Sequence, residues 1–92
     1  MLEGTQICVV VPAKNEEKFI GNVLENMPTF VDLVVVIDDN STDNTGQIAK
    51  VANVNFENIV VQGNGDGVGA AIDLGYRTAI ERFGDETFLC AV

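Results

Sequence analysis

The octapeptide Val36-Ile37-Asp38-Asp39-Asn40-Ser41-Thr42-Asp43 places two adjacent carboxylates at the end of an apolar run. A strand alternates its side chains, so one of the pair faces a crevice and the other packs back into the turn. Open α/β sheets bind ligands at the C-terminal ends of their strands. There the crevice-facing Asp can accept from a ring N–H such as the imide of uracil, and its neighbour can accept backbone N–H groups of the turn. The same residue types also cap helices through local hydrogen bonds alone. The octapeptide by itself supports either use. A second cluster, Val11-Pro12-Ala13-Lys14-Asn15-Glu16-Glu17, follows an earlier apolar run. Pro12 is expected to stop that strand, and the next turn to expose backbone donors and carbonyls near a helix N-terminus. Glu16 either accepts from ribose hydroxyls or, with Glu17, matches the helix dipole. In the third cluster, Gly63-Asn64-Gly65-Asp66-Gly67-Val68-Gly69-Ala70, the glycines let backbone approach a ligand or simply permit a tight turn. Gly65, Gly67 and Ala70 also satisfy a permissive G-x-G-x-x-A dinucleotide pattern. That pattern belongs after a first strand, with an acid ending the second strand about twenty residues on. Here the acid at that spacing, Asp85, precedes a strand, so the dinucleotide reading fails on register.

These clusters need elements to hold them. Apolar, β-branched runs occupy residues 7–11, 33–37, 59–61 and 88–92. The first two are continuous rather than alternating, as in parallel strands with helices above and below. Between them, Phe19, Ile20, Val23, Leu24 and Met27 form a helical stripe with Asn15 as its expected N-cap and Pro28 ending it. Ser41 or Thr42 is expected to cap a second helix carrying Ile48, Ala49, Val51 and Ala52. Residues 69–83 read as a third, with Ala71, Ile72, Gly75, Ala79, Ile80 and Phe83 on its packed face. The order βαβαβαβ predicts a Rossmann-like, three-layer α/β/α arrangement with a mostly parallel sheet.

Composition excludes several functions. The chain has 92 residues, with 5 Lys or Arg against 14 Asp or Glu and a net charge of −9. Phosphate backbones are bound by clustered Lys and Arg, so nucleic acid is not the expected partner. With no histidine there is no imidazole base, His-dependent zinc site or Ser-His-Asp triad. Cys8 and Cys90 are too far apart in sequence for a metal knuckle, and both sit in apolar runs, as buried free thiols do. No run reaches the roughly twenty apolar residues of a membrane span. The expected location is the cytoplasm, or the cytoplasmic face of a membrane for a longer parent protein.

Taken together, Val9-Val10-Val11-Pro12-Ala13-Lys14-Asn15-Glu16-Glu17, Val35-Val36-Ile37-Asp38-Asp39-Asn40-Ser41-Thr42-Asp43-Asn44-Thr45 and Gly67-Val68-Gly69-Ala70-Ala71 resemble the inverting family-2 glycosyltransferases of the GT-A fold. The three motifs stand in family order and at family spacing. Residues 26–34 are similar to the branch that makes polyprenyl-phosphate mannose or glucose. The resemblance implies a nucleotide-diphosphate sugar as donor, with Pro12, Ala13 and Glu16 against the nucleoside. It implies Asp39 as reader of the base, Asp38 as its structural partner, and Gly67 and Gly69 near base and diphosphate. Lys14, Asn15, Ile37 and Ser41 complete the implied nucleotide-binding set. It further implies a D-x-D motif holding Mg²⁺ or Mn²⁺ directly after the strand matched by residues 88–92, just beyond Val92, with the catalytic base and acceptor half further on. On that reading residues 1–92 are one nucleotide-binding half-domain, inactive alone. Two departures stand out: Lys14 replaces a frequent tyrosine, and Asp66 and Val68 stand where a basic residue is common.

Two other readings compete. A receiver-like signalling domain also pairs Asp residues at a strand end, but after its first strand and with a phosphoacceptor Asp and distal Lys beyond. A non-catalytic fragment would instead assemble through exposed strand edges. Light scattering separates that last reading: it predicts oligomers or swapped dimers, and a monodisperse monomer counts against it.

Overall fold

The computed structural model describes residues 1–84, 86 and 88–92. Its elements are β1 (Gln6–Ala13), α1 (Ile20–Glu25), β2 (Leu33–Asp38), α2 (Thr45–Lys50), β3 (Glu57–Gln62), α3 (Val68–Phe83) and β4 (Phe88–Ala91). The strands form one parallel sheet in the order β3-β2-β1-β4. The predicted α/β arrangement is the one found. Strand order reverses at β1, and the crevice outside the strand ends at such a reversal is where open α/β sheets hold ligands.

The continuous apolar run at β2 has a direct structural cause. All six residues of β2 are buried, because helices cover both faces of the sheet. Val34 and Val36 pack with Ile20, Leu24 and Ala49 of α1 and α2. Leu33, Val35 and Ile37 pack on the other face with Ala71 and Ala79 of α3. The edge strands β3 and β4 are only partly buried.

Several local expectations are corrected. Pro12 does not stop β1, which runs to Ala13 with Pro12 in register with Ile37. The carbonyls of Ile7 and Ala13 accept from Asp32 and Asp39, so odd-numbered residues of β1 face β2. Pro12, being even, turns its missing N–H toward the β4 side, where pairing has already ended at Val9–Ala91. Asn15 is not a helix cap either: it lies at φ +54, and α1 begins only at Ile20. Likewise α2 begins at Thr45, beyond Ser41 and Thr42, and Val51 falls past its end and is 69% exposed. On α3, Ala71, Gly75 and Ala79 are buried as expected, whereas Ile80 is 42% exposed. Asp85, the acid weighed against the dinucleotide pattern, lies outside the described residues.

Cys8 and Cys90 are free and stand in register on neighbouring strands. Burial, with Cys90 alongside, pushes the Cys8 thiol up to about 12. Cys8 is therefore an inert core side chain at neutral pH.

Helix α3 lies close on β1, and Gly75 makes that approach possible. A Cβ at Gly75 would stand 2.3 Å from Cγ1 of Val10. Helix propensity alone favours Gly75→Ala by about 1 kcal/mol, but overpacking costs about 1–3 kcal/mol. Urea denaturation of Gly75→Ala is expected to show a net loss of up to about 2 kcal/mol; a gain would contradict this packing.

Candidate functional site

The last turn of the β2 ladder separates the two carboxylates. Asp38 ends the strand and points back into the fold, 6% exposed. Its Oδ1 accepts from the Ser41 N–H at 3.3 Å and its Oδ2 from the Gln62 side-chain amide at 3.2 Å. Gly46, at the start of α2, gives it room: a Cβ there would lie 2.4 Å from Asp38 Oδ2. Asp39 is 9% exposed and anchored differently. Its N–H donates to the Ala13 carbonyl at 2.8 Å, and its Oδ1 accepts from the Gly65 N–H at 2.8 Å.

Asp39 forms the wall of a crevice of ≈ 250 Å³ at the C-terminal ends of the strands. Pro12, Ala13 and Lys14 close one side, and Gly65, Gly67 and Val68 the other. Gly65 and Gly67 sit at φ +76 and +98, where a side chain would be strained. Behind Asp39, between the end of β3 and the first turns of α3, lies a second hollow of ≈ 230 Å³. Among the described residues, Lys14 is the only cationic side chain lining the crevice. Arg77, at the second hollow, is held by Asp73 at 2.8 Å.

Of the residues singled out in the sequence, the fold brings Pro12, Ala13, Lys14, Asp39 and Gly67 to this crevice. Ile37 is buried against α3, and Asp38 points into the β2–α2 turn. Asn15, Glu16, Ser41 and Gly69 do not line it. Gly65 and Val68 line it as well: Gly65 was read only as one of the glycines that let backbone approach a ligand or turn tightly, and Val68 only as standing where a basic residue is common.

The backbone donors expected at residues 15–17 are already bound. The Asn15 N–H donates to Ser41 Oγ at 3.0 Å, Glu16 to Thr45 Oγ1 at 2.8 Å and Glu17 to Asp43 Oδ2 at 3.3 Å. In return, the Thr42 N–H donates to Asn15 Oδ1 at 2.8 Å and the Asn44 N–H to Glu17 Oε2 at 3.1 Å. The carboxylates of Asp43 and Glu17 thus serve backbone groups rather than a helix dipole, and the Glu16 side chain is left exposed. The Thr45 hydroxyl, followed by the N–H groups of Thr45 and Glu17, holds Asp43 below the usual carboxylate range.

Among the described residues no three Asp, Glu, Cys or His side chains converge as a metal site requires. Asp38 and Asp39 are turned onto different donors and do not close on a common ion. Asp38 and Asp39 therefore form no site of their own for Mg²⁺ or Mn²⁺, which the resemblance assigns to a D-x-D motif and not to these two residues. Nor does the carboxylate pair sit where a receiver domain needs it, since it follows β2 and not β1.

The sequence profile of glycosyl transferase family 2 matches residues 8–83, from β1 to the end of α3, and so contains all three clusters. Protein RfbJ of Shigella flexneri is 33% identical over 68 residues, covering 72% of this chain and 53% of the relative. The UDP-N-acetylglucosamine--dolichyl-phosphate N-acetylglucosaminyltransferase of Methanococcus voltae is 44% identical over 45 residues, 48% of this chain and 18% of the relative. The 4,4'-diaponeurosporenoate glycosyltransferase of Staphylococcus haemolyticus is 36% identical over 67 residues, 70% of this chain and 18% of the relative. The chain therefore spans about half the length of the first of these and far less of the other two.

The lowered Asp43 carboxyl has a sign that acid titration reads. Its stabilisation is fully present above the unfolded value of about 3.9 and is lost as pH falls through the lower folded value. In urea, wild type is expected to exceed Asp43→Asn near neutrality, and the two curves to merge below the carboxylate range. A gap that survives into strong acid would show that Asp43 stabilises by something other than its charge.

Proposed function

The chain belongs to glycosyl transferase family 2, and from that membership we propose that residues 1–92 hold the donor of an enzyme that moves a sugar from a nucleotide-diphosphate sugar to an acceptor. One observation supports this reading above the rest: Asp39, fixed by Gly65 and Ala13, lines a crevice at the strand ends. A carboxylate there accepts from the ring N–H of a uracil or guanine, whereas the corresponding ring nitrogen of cytosine is an acceptor. Pro12 and Ala13 flank the base, and the glycines at 65 and 67 admit the diphosphate close to backbone. Lys14 supplies the positive charge on that wall. Glu16, exposed beside it, is left for the ribose hydroxyls, the role the resemblance implies. The residues of this chain thus bind and orient the donor, and transfer proceeds by in-line displacement with inversion.

A polyprenyl phosphate acceptor is supported by the likeness of residues 26–34 and by the name of the Methanococcus voltae relative. Such an acceptor places the whole enzyme at the cytoplasmic face of a membrane. No helix among the described residues is long and apolar enough to cross one, so this portion would approach the lipid from the aqueous side. The acceptor half, the catalytic base and the divalent ion belong to other parts of such an enzyme, and residues 1–92 alone would bind without turnover. The partly exposed edges of β3 and β4 offer a route to self-association.

Calorimetry with UDP and GDP tests the reading. A hydrogen bond to a charged group contributes about 1.5–3 kcal/mol, so Asp39→Ala is expected to weaken the bound nucleotide by roughly 10–100-fold. Equal heats for wild type and Asp39→Ala would sink it.

A further inference from the structure

We propose that Thr45 and Asp43, which touch neither hollow beside Asp39, are positioning residues that set nucleotide affinity by clasping the Lys14–Glu17 loop to the β2–α2 turn; the inference rests on the nucleotide reading of the crevice. The wall formed by Pro12, Ala13 and Lys14 runs directly into a loop whose three N–H groups, at residues 15, 16 and 17, point at the neighbouring turn. Asn15 there holds φ +54, a left-handed conformation that Asn tolerates better than other L side chains but that still costs energy unless contacts hold it. The support comes from one cluster. Thr45 is fully buried, and its hydroxyl accepts from the Glu16 N–H while donating to Asp43 Oδ1. Asp43 Oδ1 also accepts from the Thr45 N–H at 3.0 Å, and its Oδ2 takes the Glu17 N–H. Asn15 and Glu17 return the bonding by accepting from Thr42 and Asn44.

The Thr45 hydroxyl is the centre of this arrangement, since it alone bridges a donor in one loop to the carboxylate in the other. Without it, the partly buried Glu16 N–H and the Asp43 carboxylate lose a partner together, and the loop samples other conformations. A nucleotide then has to select the fraction of molecules with the wall in place, and its apparent affinity falls by that fraction. A side chain of the same shape without a hydroxyl isolates the effect, because packing around residue 45 is kept.

The experiment measures UDP binding by calorimetry and amide hydrogen exchange at residues 15–17 on the same proteins. Thr45→Val is expected to speed exchange at those amides and to weaken UDP about tenfold, as when the wall is formed one tenth of the time. Thr45→Ser, which restores the hydroxyl, is expected to recover both. Should Thr45→Val fail to fold, Glu17→Ala opens the clasp from its more exposed side, with the same expected direction in both readouts. Unchanged UDP affinity in the folded clasp variants, alongside a loss in Asp39→Ala, overturns the positioning role and leaves the nucleotide reading standing. Absence of UDP binding in wild type overturns both.

Discussion

A strand buried on both faces delivers its last side chains alternately to opposite sides, and in this chain the residues at the end of β2 are Asp38 and Asp39. Two carboxylates a single residue apart repel each other unless each has its own donors. The fold supplies them from different directions. Asp38 is taken by Ser41 and Gln62, and it consolidates the β2–α2 turn and the β3 edge. Asp39 is taken by Gly65, which fixes the glycine loop before α3. The site is therefore built outward from β2, with β1 and the β3–α3 loop held against it by the same two residues. Gly46 and Gly63 follow from this, since a Cβ at either would press on one of the carboxylates.

The acidity of the chain takes a physical meaning from the same contacts. Asp32, Asp38, Asp39, Asp43 and Glu17 all accept backbone N–H groups, those of Ile7, Ser41, Gly65, Glu17 and Thr45, and Asn44. Chain segments that reach the surface beyond the strand ends must satisfy their N–H groups without a ladder. Here carboxylates and hydroxyls do so. Part of the −9 charge is thus structural, and the crevice itself presents Asp39 with Lys14 as the nearby cation.

How much of this was legible in the sequence depended on the range of the interaction. The unbroken run before Asp38 announced a strand buried on both faces, and the alternation at its end separated the two Asp residues. Parallel order followed from the helical stripes between runs. What failed was local chemistry read as local. Asn15, Glu16, Glu17, Ser41 and Thr42 have the types and positions of helix caps, yet their partners lie about 26–29 residues away in the other loop. Pro12 looked like a strand stop because its register relative to β4 is invisible in sequence. Val68 carries no chemical signal and reaches the crevice only because Gly67 turns the chain into α3.

On the proposed reading, the strand ends around Asp39, and no other part of the surface, receive a nucleotide. The most direct measurement is an NMR titration of the backbone amides with UDP. Shifts are expected to concentrate at Ala13, Lys14, Asp39, Gly65, Gly67 and Val68, with the hollow at the opposite end of the sheet, around Met27, Asn53 and Phe56, unchanged. Shifts centred on that opposite end, or none that saturate, would contradict it.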